Sequence, residues 1–511
     1  MLNFVIRRFA SSVAVLLVAT FLIYVLADFA MDPLQDLRVS TAPNKAALIA
    51  QRIADLQLDV PSPLRYLDWL QGVGGCLVGQ CDLGEAWRTN QAVSAVLASA
   101  LIVTLKLVTV AVITAMALGV AVGVVSALRQ YSGFDYGIIF LSFLLYSLPT
   151  FWVAVLLKQW VAIGFNDFLA DPSLSPWVIL AIGAVIGAVF AAAIGGDLRR
   201  RLTTFGIAAG ASGAVVLYIS ATQWLNDPGF GPVVIAVTGV GIAYAVTLVS
   251  TGLRNKRALY SAITTALVGA VLWFPLQFLF RSASSPMMVG LMVLTVGIGI
   301  GIGLAFGGPD RGQSARTAGI VAVLVGLLIF ADRILQAWRP YAESSVINGR
   351  PVPTIGSQTP GLAGSYWSVQ LDSLTHLMLP TMALILISFA SYTRYSRASM
   401  LEVMNQDYVR TARAKGLTER TVIMRHAFRN SLIPLATIIP LDLAALLGGA
   451  IITERIFGWS GMGTLFLKSL SNSEIDPLMI YVLIIGSVTV LANFAADLLY
   501  AALDPRIRVN A

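Results

Sequence analysis

Long apolar runs of similar length alternate with short polar connections along this chain. Ala10–Ala27 comes first, behind Arg7 and Arg8, and a polar, proline-containing segment then extends to about Ala92. Further runs lie near Ser99–Ala127, Tyr136–Phe165, Trp177–Ile194, Thr204–Ala221, Val233–Thr251, Leu259–Phe280, Pro286–Phe306 and Ala318–Phe330. After a second polar stretch come Leu377–Ser391, Leu432–Thr453 and Leu478–Leu503. Most of these approach the roughly 20 residues that a helix needs to cross a bilayer. The pattern predicts an all-α polytopic membrane protein with about 12 transmembrane helices. The first run is long for a signal peptide and lacks a convincing small-residue cleavage site, so it reads as a membrane anchor helix within residues 1–30.

Composition agrees. With 57% hydrophobic and 12% charged residues in 511, the chain has too little polar surface for a soluble globule. Its net charge of +8 would suit nucleic acid only if the cations were clustered, and they fall instead in short connections between spans. With the N-terminus cytoplasmic, the inner connections carry Arg7 and Arg8, Arg129, Arg199 to Arg201, Arg254, Lys256 and Arg257, Arg311 and Arg316, Arg394 and Arg397, and finally Arg506 and Arg508. The outer connections Asn226–Gly231 and Ser282–Ser285 carry no Lys or Arg. This register follows the positive-inside rule and puts both termini in the cytoplasm. It also requires an even number of spans in the middle of the chain.

One inner connection is unusual: "QDYVRTARAKGLTERTVIMRHAFRNSLIPL", Gln406–Leu435. Asp407–Lys415 reads as a short helix that Gly416 ends in a left-handed conformation. Thr418 is placed to cap a second helix running to about Asn430, with Glu419 in its first turn. Pro434 fits the first turn of the next span. Tyr408, Val409, Leu417, Val422, Ile423 and Phe428 are available to pack the two helices into a knob. On pattern alone, a solvated or headgroup-contacting loop is the other reading.

The stretch resembles the cytoplasmic coupling loop of permease subunits in binding-protein-dependent ABC importers, in particular the dipeptide/oligopeptide and nickel group. "DYVRTARAKG" and "RHAFRNSLIP" carry the resemblance in the loop. "CDLG" at Cys81–Gly84, "HLMLP" at His376–Pro380, "TERIFGWSGMG" at Thr453–Gly463 and "LDPRIR" at Leu503–Arg508 carry it elsewhere, in the family's order. Arg410-Thr411-Ala412 stands where the general importer consensus has Glu-Ala-Ala, a substitution common in the peptide subgroup, and Glu402 is not that consensus glutamate. Met31-Asp32-Pro33 stands for a Pro-Gly-Asp-Pro element. Residues of about 170–340 resemble no family that the motifs identify.

The resemblance implies a type I importer permease fold of six spans, with about six more in an inserted block. The expected organisation is an anchor at 1–30, an extracytoplasmic segment at 31–92, a first permease part at 93–166 and the inserted block at 167–340. A second extracytoplasmic segment follows at 341–375, then a second permease part at 376–504 with the coupling loop at 402–431, and a cytoplasmic tail at 505–511. The implied coupling residues are Asp407, Tyr408, Arg410, Ala412, Arg413, Lys415, Gly416, Leu417, Arg425 and His426. The implied partners are a second homologous permease, two cytoplasmic ATPase subunits, an extracytoplasmic solute-binding protein and the lipid bilayer of a bacterial cytoplasmic membrane. Peptides are the implied cargo, with nickel or another small solute as alternatives.

The chain itself shows no catalytic chemistry. It lacks the phosphate-cradling G-x-x-x-x-G-K-[ST] pattern, so ATP hydrolysis is expected on partner subunits and no cofactor or metal is implied. Cys76 and Cys81 lie in an exported segment, where a disulfide is permitted; two unpaired thiols are the alternative. Lys106, Lys158, Asp442 and Asp497 fall in or near spans. Asp442 is a candidate for lining a pathway or, alternatively, a packed carboxylate. Lys158 fits a snorkelling lysine. Gly299 and Gly303 have the spacing of a close helix contact. The rival functional class is a self-sufficient secondary transporter of about 12 spans, but the two halves show no convincing repeat.

Overall fold

The computed structural model describes residues 2–503 and is helical almost throughout. Among these residues, 11 helices are long and apolar enough to cross a membrane, or up to 12 when one bent pair is taken as a span. The single sheet is a two-residue antiparallel pairing of β1, Glu85–Ala86, with β2, Gln91–Ala92. The "LDPRIR" tail beyond Leu503 lies outside the described residues.

The chain divides into two compact units. The first holds residues up to Val161, Thr354–Ser357 and the chain from Leu377 onward; the second holds Ala162–Pro353 and Gln358–His376. The sequence-based segment 341–375 is thus divided, since Thr354–Ser357 belongs with the first unit.

In the first unit, α1 (Leu2–Ala30) leaves Val15, Val18, Leu22 and Leu26 exposed, as a lipid-facing anchor does, and buries Thr20 and Tyr24. Those two residues meet the helix Ser62–Gly75, where the Tyr66 hydroxyl lies 2.9 Å from that of Thr20 and Arg65 pairs with Asp28 at 2.6 Å. Cys76 and Cys81 are joined as a disulfide just beyond that helix. Next, α2 (Val93–Leu128) crosses as one helix and α3 (Gly133–Ser147) begins at Ser132, whose hydroxyl accepts from the Asp135 N–H.

The expected single span over Tyr136–Phe165 is corrected. The chain breaks at Leu148-Pro149 and turns by 101° into Thr150–Leu169. A residue before proline is driven out of the helical region, and Leu148 is extended at φ −80°, ψ 129°. Lys158 follows that break. Its ammonium group donates to the Ile456 carbonyl at 3.4 Å.

The second unit contributes six spans: α4 (Pro176–Ile194), α5 (Leu198–Ala221), α6 (Gly231–Ser250), α7 (Lys256–Leu279), α8 (Ser285–Phe306) and α9 (Arg311–Gln336). α4 packs against α5, while α6, α7 and α9 share a core of Ile235, Ala262, Ala266, Val321, Val325 and Ile329. The expected contact at Gly299 and Gly303 is present. A Cβ on Gly303 would lie 2.4 Å from the Ala315 Cα, so α8 reaches the α9 backbone only because no side chain intervenes. Such packing joins helices where lipid supplies no hydrophobic drive.

The long helix α10 (Tyr366–Met404) carries the chain onward through Pro380. After the short α11 (Asp407–Ala414), α12 (Ile433–Gly449) opens with Pro434 in its first turn, where a missing N–H costs little. The short helices α13 (Ile451–Phe457) and α14 (Met462–Asn472) lead to α15 (Ile475–Leu503), which packs along α1 and α12. Asp497, one of the in-span charges, is paired with Arg8 of α1 at 3.3 Å.

Candidate functional site

The basic loop is an ordered elbow. Because α10 continues to Met404, the loop starts at residue 405, three residues later than the sequence suggests. α11 ends at Ala414 with the Gly416 N–H donating to the Arg413 carbonyl at 2.9 Å and the Leu417 N–H to that of Ala412 at 3.4 Å. These two bonds close a helix through a left-handed residue, and Gly416 has φ +75°. Nothing lies within 4 Å of a Cβ placed there, so the position demands glycine by backbone conformation and not by lack of room.

Beyond the elbow, the expected second helix is interrupted. Glu419–Thr421 is α-helical, Val422–Ala427 is a π-helical turn, and Phe428–Ser431 is α-helical again. The wider turn places Val422 and Ala427, five residues apart, both at 0% exposure. Thr418 occupies the capping position, but its hydroxyl meets that of Thr421 at 2.9 Å and makes no capping bond to the backbone. Arg413 closes the elbow from the other side, with Nη2 2.7 Å from Glu419 Oε1 and Nε 3.2 Å from Oε2. That guanidinium holds the Glu419 carboxyl below the usual range.

The knob packs through few residues. Val409, Ala412 and Val422 form its buried centre with Val403 and Met404 at the end of α10. Ala427 continues into Met400 of α10 and Ala127 of α2. Tyr408 and Leu417, expected in the packing, are each 41% exposed, and Tyr408 instead accepts from Asn430 at 3.0 Å. Arg410, Lys415 and Arg425 are exposed, His426 is half-buried, and Asp407 is exposed beside Arg410 at 3.7 Å. The knob therefore presents an outward cationic surface on a small, rigid apolar base.

A buried ion pair ties that base to the spans, and sequence reasoning missed it because Arg397 was counted only as a topology charge. Asp135, 1% exposed, accepts from Arg397 Nε at 2.7 Å and Nη2 at 2.9 Å. It also takes the Ser126 hydroxyl at 2.5 Å and the Tyr131 N–H at 3.0 Å. α2, α3 and α10 are thereby locked together about two turns from the start of the loop. On the same seam, a Cβ on Gly123 would lie 2.6 Å from the Thr393 carbonyl oxygen. Ser399 adds a bond to the Ser431 carbonyl at 2.8 Å.

A second missed residue lies inside "TERIFGWSGMG". Glu454 is fully buried and accepts from the Thr104 hydroxyl at 2.5 Å and the Thr464 N–H at 3.0 Å, so it fastens the glycine-rich turn to α2. Burial pushes its carboxyl above the ordinary range, against the bonds from Thr104 and the backbone. The sequence signal was a carboxylate next to Arg455 in a glycine-rich motif. Asp442 is half-buried on α12.

The comparisons with known proteins come from the same regions. Residues 258–509 match the family model of the binding-protein-dependent transport system inner membrane component, and residues 1–108 match that of the membrane component's N-terminal part. The first match begins within α7, upstream of the motifs that carry the sequence resemblance. The chain is 43% identical over 155 residues to the oligopeptide transport system permease protein OppB of Mycobacterium tuberculosis (strain ATCC 25618 / H37Rv), covering 30% of this chain and 48% of the relative. It is 43% identical over 136 residues to the oligopeptide permease AppB of Bacillus subtilis (strain 168), covering 27% and 43%. It is 44% identical over 138 residues to the dipeptide permease DppB of Escherichia coli (strain K12), covering 27% and 41%. The chain thus spans about half the length of the curated relatives it matches.

Proposed function

The chain belongs to the family of binding-protein-dependent transport inner membrane components, and on that premise we propose that it is the permease subunit of an ATP-driven importer of di- or oligopeptides. It forms half of a translocation pathway in a bacterial cytoplasmic membrane, with a second homologous permease as the other half. Two cytoplasmic ATPase subunits supply the work and an extracytoplasmic binding protein delivers the solute.

The observation that carries this reading is the elbow itself. A loop that only set topology would need charge and nothing more. This one is braced by a Schellman closure at Gly416, a two-point Arg413–Glu419 pair and a buried apolar centre. Rigid short helices transmit a displacement that a slack loop would absorb. Closure of the ATPase pair would push the knob, and the Asp135–Arg397 lock would pass the motion to α2, α3 and α10. Exposed Arg410, Lys415 and Arg425 are suited to acidic or carbonyl acceptors on the ATPase. Asp442 on α12 is the proposed pathway-lining carboxylate.

Reconstitution tests the assignment. In proteoliposomes, uptake of a labelled dipeptide requires the second permease, the ATPases, the binding protein and ATP together. Uptake by this chain alone, driven by an ion gradient, would identify a secondary transporter instead.

A further inference from the structure

The importer reading gives α4–α6 no role, although the family match takes in α7–α9, and the second unit contains an open cleft. About 710 Å³ of space lies between the turn after α5, the short helix Trp338–Ala342 and the connection around Asn348. Volumes of this order hold small ligands. Its polar wall includes Gln223, Asn226, Asp227, Arg339, Glu343 and Asn348. At the other end of the same spans lie Arg199, Arg200, Arg201, Arg254, Lys256 and Arg257, which puts the cavity at the extracytoplasmic end.

The walls are fixed in advance. Asp332, 0% exposed, accepts from the N–H groups of Phe230 and Gly231, from Trp273 Nε1 and from Gln336 Nε2, and so pins the turn that carries Asn226 and Asp227. Trp224 Nε1 closes the turn on the Gly229 carbonyl at 2.9 Å. On the far side, Asn166 and Val352 exchange bonds of 2.8 and 3.1 Å, which holds the strand of chain beyond Asn348.

From these groups we infer that the second unit binds a small zwitterion, a short peptide or free amino acid, in this cavity; the peptide alternative rests on the proposed cargo. Asp227 and Glu343 set two carboxylates against one guanidinium, leaving a net negative charge suited to an ammonium group. Arg339 donates Nε to Glu343 at 2.9 Å and lies 4.0 Å from Asp227, beyond hydrogen-bond reach, so guanidinium donors remain for a carboxylate. Gln223, Asn226 and Asn348 each offer both a donor and an acceptor, which a peptide bond requires and a simple cation does not. Asp227, Arg339 and Glu343 are 58–66% exposed, so their charged groups are open to a ligand from solution.

Titration calorimetry on the purified full chain in nanodiscs, without its partners, tests this with alanyl-alanine and alanine as probes. Saturable binding of at least one probe is expected, and the stronger of the two identifies peptide or amino acid as the ligand. The D227N/E343Q double variant, with its melting temperature unchanged, should bind at least tenfold more weakly. N-acetylation of the probe should cause a similar loss. Arg339→Gln should weaken the free-carboxylate probe at least fivefold and leave the amidated probe unaffected. No saturable binding of either probe, or equal affinities across these variants and modified probes, would overturn the inference. ATP-driven uptake without such binding would sink the cavity assignment alone, whereas binding without ATP-driven uptake would sink the importer reading alone.

Discussion

The two units of this chain use the same device, a buried carboxylate that gathers donors, to different ends. In the first unit Asp135 takes the charged fork of Arg397 beside the basic elbow. In the second Asp332 takes only neutral hydrogen-bond donors, two backbone N–H groups, an indole and an amide. The Asp135 lock depends on a charged partner, Arg397, that is 22% exposed and can re-pair with water, whereas Asp332 is held by several neutral donors at once and acts as a brace. On the proposed coupling role, the contrast sets a region suited to passing motion against one that holds a shape.

Breaking the charged lock has the largest expected effect. Arg397→Ala leaves the Asp135 carboxylate buried and unpaired, which should destabilise the first unit by about 3–5 kcal/mol and lower the melting temperature of the purified protein. Asp332→Ala orphans several donors and should cost about 2–3 kcal/mol. Hydrogen exchange should then rise at Phe230 and Gly231 while the elbow stays protected; equal exposure of both regions would erase the distinction between lock and brace. Gly303→Ala drives a methyl group into the α9 backbone and should cost about 1–2 kcal/mol, read by the same thermal melt.

The smallest effect is a matter of pH. The Glu419 carboxyl is held low by Arg413, so the pair contributes fully above the ordinary glutamate pKa of about 4.3 and is lost as pH falls through the lowered value. Amide exchange at Leu417, corrected for its intrinsic rate, should be flat from pH 7 to 5 and quicken in more acidic buffer. Glu419→Gln should remove that dependence.

Much of this arrangement was legible from residue patterns. Apolar run length and loop charge marked the spans, and Gly416 announced its left-handed turn because glycine is the residue that adopts it cheaply. The bend at Pro149 was written in the sequence but hidden inside an apolar run. The π turn at Val422–Ala427 has no residue signature, since it follows from which side chains the knob needs to bury. Asp135 and Arg397 are 262 positions apart, a pairing that no local pattern reveals. The cavity in the second unit is likewise assembled from three separated connections.

The most direct measurement is the ratio of peptide imported to ATP hydrolysed by the reconstituted assembly carrying Gly416→Pro. Proline cannot adopt φ +75°, so the elbow should lose its angle while the spans still insert. ATP turnover is expected to continue as uptake falls at least tenfold, with Gly416→Asn, which tolerates the left-handed region, largely retaining both. An unchanged ratio in the proline variant would contradict the claim that this elbow carries the work.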